Sequence, residues 1–489
     1  MYTLTVTDKD KTYELSFEGT PTVQQVLEEN GVTMPHPCGG RGVCGNCRIE
    51  VSGEVSSPDE KEAAFGCRLS CRTTLYGNAS ATLCVDKHIH AESTTQNIKG
   101  CDLQKNSDRV GAAVDIGTTT VALSVYDMGA GVCLAAETAL NPQSTVSADV
   151  IGRMDAAIRG RLTELQDMVT GCIKELAQKT GYLDKIEKWI ITGNTTMLYL
   201  LTGRNPESLS AYPFLADCLF GNEFSFLGKE AYLPECMHAF VGADITCAII
   251  DSGMCDVKET SLLCDIGTNG EMALWKNGKL YVCSTAAGPA FEGAGISCGC
   301  QSVEGAIEQV SLMGDCLQIR TIGGTKPIGL CGSGIIDAIA CLLDQGTIDE
   351  TGAIEEDEVA ICDGISLQRK DIRNVQLAKA AIAAGIKTLL LATDTSEEEI
   401  NTCYIAGGFG SHLHIDSAIR IGLLPQGFET KINVIGNAAL KGAARLLTEP
   451  ELAQNVHGMV SEATCMNLAG MPEFSESYVE EMFFPEKID

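Results

Sequence analysis

The chain is 489 residues long, beyond one ordinary domain, so three or four structural units are expected. Hydrophobic residues make up 45% and allow a large core, while 65 acidic against 35 basic residues leave a net charge of −30. That balance excludes the Lys/Arg-rich surfaces that nucleic acid or an anionic membrane demands, and it reads as a solvated acidic surface.

The N-terminus alternates apolar and polar residues as a strand does, unlike a secretion signal, and no stretch reaches the length of a transmembrane helix. The 23 cysteines are therefore expected to be thiols or metal ligands rather than disulfides, in a cytoplasmic protein of an oxygen-poor cell. Residues 2–7 and 12–17 read as two strands around a polar turn. Residues 20–32 read as a helix, capped by Thr20 or Thr22, with Val23, Val26 and Leu27 inward and Gly31 as its stop.

The next ten residues of note, CGGRGVCGNC (38–47), place Cys38, Cys44 and Cys47 in a C-x5-C-x2-C pattern on a glycine loop. A strand (47–55) follows, then GCRLSCRT, which supplies Cys67 and Cys71, either of which can serve as a distal ligand. Three thiolates so spaced, plus one distal, suit a [2Fe–2S] cluster, with one residue more in the first gap than the plant-type C-x4-C-x2-C. Glycines let backbone N–H groups approach the cluster sulfurs. The alternative is a structural zinc site, but its usual two C-x2-C pairs are missing. Residues 86–109 are polar and read as a linker, where His88 and His90 are solvated residues rather than metal ligands.

From residue 110 the pattern turns α/β. An apolar strand ending in Asp-Ile-Gly-Thr and leading into a second strand occurs at 115–118 and again at 265–268. Such a repeat implies two like subdomains facing a cleft. Each Gly/Thr tip offers N–H and hydroxyl donors to an anion, and each Asp can hold hydrated Mg²⁺. Two further stretches carry Gly-rich turns: 328–343, where the turn opens a helix, and 404–413, where a buried strand runs into the turn and then a helix.

The cysteine loop with its strands and helix resembles the β-grasp ferredoxin domain. In that family the last cysteine of an RLxC signature is the ligand, which here is Cys71 and leaves Cys67 as an extra thiol. Residues 110–489 resemble the actin/Hsp70/sugar-kinase ATPases. On that resemblance Asp115, Gly117, Thr118, Thr119 and Thr120 form the first phosphate loop, and Asp265, Gly267, Thr268, Asn269 and Gly270 the second. Gly407, Gly408 and Gly410 let a strand end approach adenosine, and Gly332, Ser333 and Gly334 open a connecting helix, Gly332 and Gly334 being expected among the ATP contacts. Glu271 either orients water or Mg²⁺ in a catalytic role with Asp115 and Asp265, or is an exposed strand residue.

The whole chain resembles the ATP-dependent reductive activators of corrinoid proteins, and stretches at 141–154, 191–197 and 286–299 sharpen the likeness. The resemblance implies four segments: a ferredoxin-like domain at 1–85, a linker at 86–109, and ATPase subdomains at 110–257 and 258–489. It implies a [2Fe–2S] cluster, ATP and Mg²⁺ as cofactors. One electron would pass to the Co(II) of a methyl-transfer system's corrinoid protein and restore Co(I). It also implies an external low-potential electron donor and a homodimer, with neither nucleic acid nor membrane as partner. Plant-type clusters lie near about −400 mV, and the cobalt couple is expected lower. An uphill step of about 2.3 kcal/mol per 100 mV gives the ATPase its task. The small residues at 284–300, with the hydroxyls of Ser284 and Ser297, either meet the corrinoid or pack a helix on the sheet. The rival functions are an ATP-gated donor to a non-corrinoid enzyme, a metabolite kinase with a regulatory ferredoxin domain, and an ATP-binding sensor without turnover.

Overall fold

The computed structural model describes residues 2–8, 11–30, 32, 34, 47–59, 62, 68–83, 109–314, 316–407 and 413–486. The linker and its two histidines, along with Cys38, Cys44, Cys67, Gly408 and Gly410, lie outside them. The chain forms two compact units, one combining the N-terminal segment with residues 142–161 and the other holding the remainder.

In the first unit, β1 (Tyr2–Asp8), β2 (Lys11–Phe17), β3 (Arg48–Val55), β4 (Arg68–Leu69) and β5 (Leu75–Leu83) make one sheet in the order β2-β1-β5-β3-β4. Along β5 every second side chain is buried, so one sheet face builds the core. The helix Val23–Glu29 contributes Val23, Val26 and Leu27, which pack with Leu4, Val6, Phe17, Leu69 and Leu75. This is the expected β-grasp arrangement. Residues 142–161 add a short helix, Val150–Ala156, capped by Asp149, whose Oδ1 accepts from Gly152 N at 2.7 Å.

The second unit contains two sheets of matching design. Lobe I holds β6 (Val110–Ile116), β7 (Thr120–Asp127), β8 (Val132–Leu140), β9 (Ile186–Gly193), β10 (Asn222–Phe226) and β11 (Lys229–Leu233). Lobe II holds β12 (Ser261–Ile266), β13 (Gly270–Lys276) and β14 (Lys279–Thr285). It continues through β15 (Ala306–Met313), β16 (Cys316–Thr321), β17 (Gly329–Leu330), β18 (Glu358–Cys362) and β19 (Ile365–Gln368). Its last strands are β20 (Thr402–Ala406), β21 (Ile432–Gly436) and β22 (Thr464–Met466). The sheets run β10-β11-β9-β6-β7-β8 and β21-β20-β12-β13-β14-β22. In each, an antiparallel three-strand meander is joined on its first strand by a parallel strand, β9 on β6 and β20 on β12. The repeat inferred from two short motifs is thus a duplication of four strands.

The helix Arg369–Ala392 corrects one expectation. By length and composition it is apolar enough to cross a membrane, but 72% of its apolar window is buried inside the protein. It is a core helix of lobe II, packed on β13 and β14. Three side chains from this helix and from the helix Ile415–Arg420 hold the C-terminal segment by its backbone. Gln376 Nε2 donates to Met482 O at 2.9 Å, Lys379 Nζ to Phe483 O at 2.6 Å and Arg420 Nη1 to Pro485 O at 2.9 Å. Phe484 is buried between these anchors, and Phe483 is exposed.

Candidate functional sites

Two sites emerge, one in each unit. In the first, Cys47 enters β3 and Cys71 lies in the turn after β4. Both are buried, and their Sγ atoms are 3.3 Å apart. A disulfide would need about 2.05 Å, and no disulfide joins any described cysteine. Two thiolates on one metal, at bonds of about 2.3 Å each, span a comparable separation, so the pair fits half of a cluster's ligand set. The turn carrying Cys71 is held by Glu62, which the sequence did not single out. Its Oε1 accepts from Arg68 Nε (3.0 Å), Leu69 N (2.9 Å) and Thr73 Oγ1 (2.8 Å). Burial pushes the Glu62 carboxyl up, but these donors, with the Asp59 backbone, outweigh it and hold the carboxyl below its usual range.

The second site lies at the tips of the paired meanders. Asp115, one residue before the end of β6, lies opposite Ala122, and Asp265, one residue before the end of β12, lies opposite Glu271. The tips differ in length: four residues separate Ile116 from its partner Val121, and three separate Ile266 from Gly270. Glu271 is buried, which removes its reading as an exposed strand residue. A fourth carboxylate, Asp244, comes from the first turn of the helix Ala243–Ser252 and was missed in the sequence, where it sits in an ordinary helix start.

These groups are close enough to disturb one another. Burial, then the charge of Asp244, pushes the Asp115 carboxyl up to about 7, against a lowering hydrogen bond from Asn437. Burial, then Asp244 and Asp115, pushes Asp265 up to about 7. Burial raises Asp244 too, and burial followed by Asp244 and Asp265 drives Glu271 well above the usual range. Among the described residues no lysine or arginine is one of the groups that shift Asp115, Asp244 or Asp265. Among the described residues no three His, Cys, Asp or Glu side chains converge as direct ligands of one ion. A cation that keeps its own waters, as Mg²⁺ does, suits this donor set.

Two asparagines complete the site. Asn194 caps the buried helix Thr195–Leu201, its Oδ1 accepting from Met197 N at 3.0 Å, while its Nδ2 donates to Thr118 Oγ1 at 3.3 Å. Asn437 caps the helix Ala438–Thr448 in the same way, accepting from Leu440 N at 2.8 Å, and donates to Asp115 Oδ2 at 3.0 Å. Both follow a glycine at the end of a strand parallel to the sheet centre, in the sequences GNTTM and GNAAL. That recurrence is a signal the sequence carried. Gly407 closes β20 with φ 95°, and a Cβ there would meet Asp265 Oδ1 at 2.7 Å.

Other expected residues have structural duties. Gly334 is buried in the first turn of the helix Gly332–Asp344, where a Cβ would strike Ile307 O at 2.1 Å, and Ser333 Oγ donates to Glu308 O at 2.7 Å. The close approach to β15 by itself requires glycine at Gly334. Ser284 sits on β14 opposite Glu271. Ser297 is committed to the start of the long helix, its N and Oγ bonding Asp371 Oδ1 at 2.9 and 3.1 Å and its Oγ bonding Gln368 Oε1 at 3.1 Å.

Family profiles match three consecutive stretches: a 2Fe-2S iron-sulfur cluster binding domain at 6–76, the RACo middle region at 110–257, and the C-terminal domain of RACo, the ASKHA domain, at 259–489. The corrinoid activation enzyme RamQ of Eubacterium limosum is 33% identical over 430 residues, 79% of this chain and 72% of that protein. The chain belongs to the RACo family. A second RACo-like relative, the [Co(II) methylated amine-specific corrinoid protein] reductase of Methanosarcina barkeri, is 25% identical over 76% of this chain and 77% of its own length. The solved structure of a reductive activator for corrinoid, iron-sulfur protein superposes with a TM-score of 0.71 at 26% identity, covering 99% of both chains. As in the RACo family, this chain joins a [2Fe–2S] domain to an ASKHA-type ATPase domain that uses ATP and Mg²⁺.

Proposed function

We propose that this chain is an ATP-dependent reductive activator that returns the Co(II) corrinoid of a methyl-transfer protein to Co(I) by a one-electron transfer. The observation that carries the reading is the presence, on one chain, of a buried thiol pair fit for a cluster and a duplicated, carboxylate-lined hairpin cleft. Cys38, Cys44, Cys47 and Cys71 would hold the [2Fe–2S] group, which would supply a one-electron store at low potential. The Glu62 network fixes the turn that presents Cys71. In the cleft, Thr118, Thr119, Thr120 and the tip amides of Gly117, Thr268, Asn269 and Gly270 would donate to phosphate oxygens, while the Gly267 amide closes its own tip by donating to Asn269 O. Asp115 and Asp265, with Asp244 and Glu271, would hold Mg²⁺ through water. Gly407, together with Gly408 and Gly410, would let backbone approach the adenosine. The reading includes an external low-potential donor, a homodimer and a cytoplasmic setting.

The test mixes the reduced protein with ATP–Mg²⁺ and a Co(II) corrinoid protein and follows the Co(I) absorption band. The band is expected with ATP and absent without it. Cys44→Ser should suppress it while ATP binding persists. No ATP-dependent Co(I) signal with several corrinoid partners would overturn the function.

A further inference from the structure

One side chain spans the cleft and has no part in the roles above. Glu292 follows β14 at the end of a short turn, Pro289–Glu292. Its Oε2 accepts a short hydrogen bond from Thr119 Oγ1 on the lobe I tip, and its Oε1 accepts from Thr268 Oγ1 on the lobe II tip at 2.5 Å. A single carboxylate therefore ties the two hairpin tips together. The turn that presents it is pinned on both sides. Gly288 N donates to Thr268 O at 2.8 Å, and Phe291 is buried beside it. Gly293, at φ 78°, passes so close to Cys300 that a Cβ would lie 2.4 Å from its carbonyl oxygen.

A hydroxyl has one hydrogen to give. The hydroxyls of Thr119 and Thr268 give theirs to Glu292, and a phosphate bound between the tips would need the same two hydrogens. A carboxylate and a phosphate in one small, partly dehydrated site also repel. The two anions are therefore alternative occupants of one donor pair.

We propose that Glu292 is an internal stand-in for nucleotide phosphate. It clasps the tips to each other and is displaced when ATP–Mg²⁺ takes their hydroxyls, so that nucleotide occupancy moves residues 288–300. The proposal rests on the reading that ATP binds between the tips, and Glu292 acts as a positioning residue. Its release would be transmitted along the same segment to Ser297, whose bonds to Asp371 and Gln368 join it to the start of the long lobe II helix.

The experiment uses the full, cluster-loaded chain and measures ATP–Mg²⁺ affinity by calorimetry, with hydrogen exchange across 288–300. Glu292→Gln and Glu292→Ala are expected to bind ATP–Mg²⁺ roughly tenfold more tightly, the scale of hydrogen bonds to one charged group. Structural damage would not tighten binding. In the wild type, ATP–Mg²⁺ should raise exchange in 288–300, and in Glu292→Ala exchange should be high before nucleotide is added. Thr118→Val, which removes a tip hydroxyl that Glu292 does not hold, should weaken binding. Unchanged or weaker binding in both Glu292 variants, with normal binding in the wild type and the expected loss in Thr118→Val, would overturn the clasp and leave the nucleotide reading standing. A wild-type chain that binds no ATP–Mg²⁺, or a Thr118→Val chain that binds it as well as wild type, would take down both.

Discussion

Lobe I and lobe II share a strand order, β9-β6-β7-β8 against β20-β12-β13-β14, and each carries an aspartate one residue before the end of its meander's first strand, at the cleft. Their side chains then diverge. Opposite Asp115 stands Ala122, and opposite Asp265 stands Glu271. The lobe I tip carries three threonines in a row, and the lobe II tip carries one. After the third strand, Asn141 of lobe I props its own tip, its Nδ2 donating to Gly117 O at 2.8 Å, while Glu292 of lobe II reaches across to the other tip. Duplication thus supplied the backbone frame, and lobe I became rich in donors as lobe II became rich in charge.

The largest effect expected from this division is on turnover. Asp115→Ala and Asp265→Ala should each lower ATP hydrolysis on the order of a hundredfold or more, the scale seen when one preorganised polar group is removed. The visible spectrum of the cluster should not change, since its ligands lie in the other unit. A variant that keeps hydrolysis would show that its lobe does not contribute a metal-directed carboxylate.

A second pair of changes separates frame from chemistry. Gly407→Ala adds a Cβ at 2.7 Å from Asp265 Oδ1 at a positive φ, and Gly193→Ala adds one at 2.7 Å from Ile116 O. The first should cost about 1–3 kcal/mol in denaturant unfolding and also reduce turnover per folded molecule. The second should cost stability while leaving turnover per folded molecule near wild type. Equal losses of turnover would erase the distinction between the lobes.

The carboxylates also set a pH dependence. Asp115 and Asp265 are raised from 3.8 to about 7 on folding, so between those values the folded chain holds protons that the unfolded chain has lost. Their contribution to stability must fall as pH rises from about 4 to about 7. Without nucleotide, unfolding free energies of Asp265→Asn should decline less over that interval than those of wild type. A parallel decline would mean that folding does not raise the lobe II carboxyl above its ordinary range. The smallest change lies outside the cleft. Glu62→Gln should cost about 1–3 kcal/mol in the first unit, read from thermal loss of the cluster spectrum, with ATP binding unaffected.

What the sequence revealed here was local. The three cysteines of the glycine loop and the two Asp-Ile-Gly-Thr tips are each contained in a few residues, so the spacing alone suggests a ligand. Residues meeting across long separations gave no such signal. Glu292 reaches Thr119 from 173 positions away. Neither residue type nor spacing marks such a pair, because the fold makes the encounter. Asp244 looked like any acidic residue in a helix's first turn. The long helix at 369–392 was missed for another reason, since no stretch was expected to reach membrane-spanning length. A helix buried on most sides is apolar nearly all round, as a membrane span is, and only its packing partners tell them apart.

The C-terminal segment is gripped through main-chain carbonyls, at Met482, Phe483 and Pro485, and only Phe484 is buried among these anchors by its side chain. Every residue type offers the same carbonyl, so recognition of this kind ignores spelling and counts length. Over divergence, positions 482 and 483 are free to drift while the number of residues up to Phe484 is not. Removing a single residue ahead of Phe484 would shift every carbonyl out of register and strand the buried ammonium of Lys379.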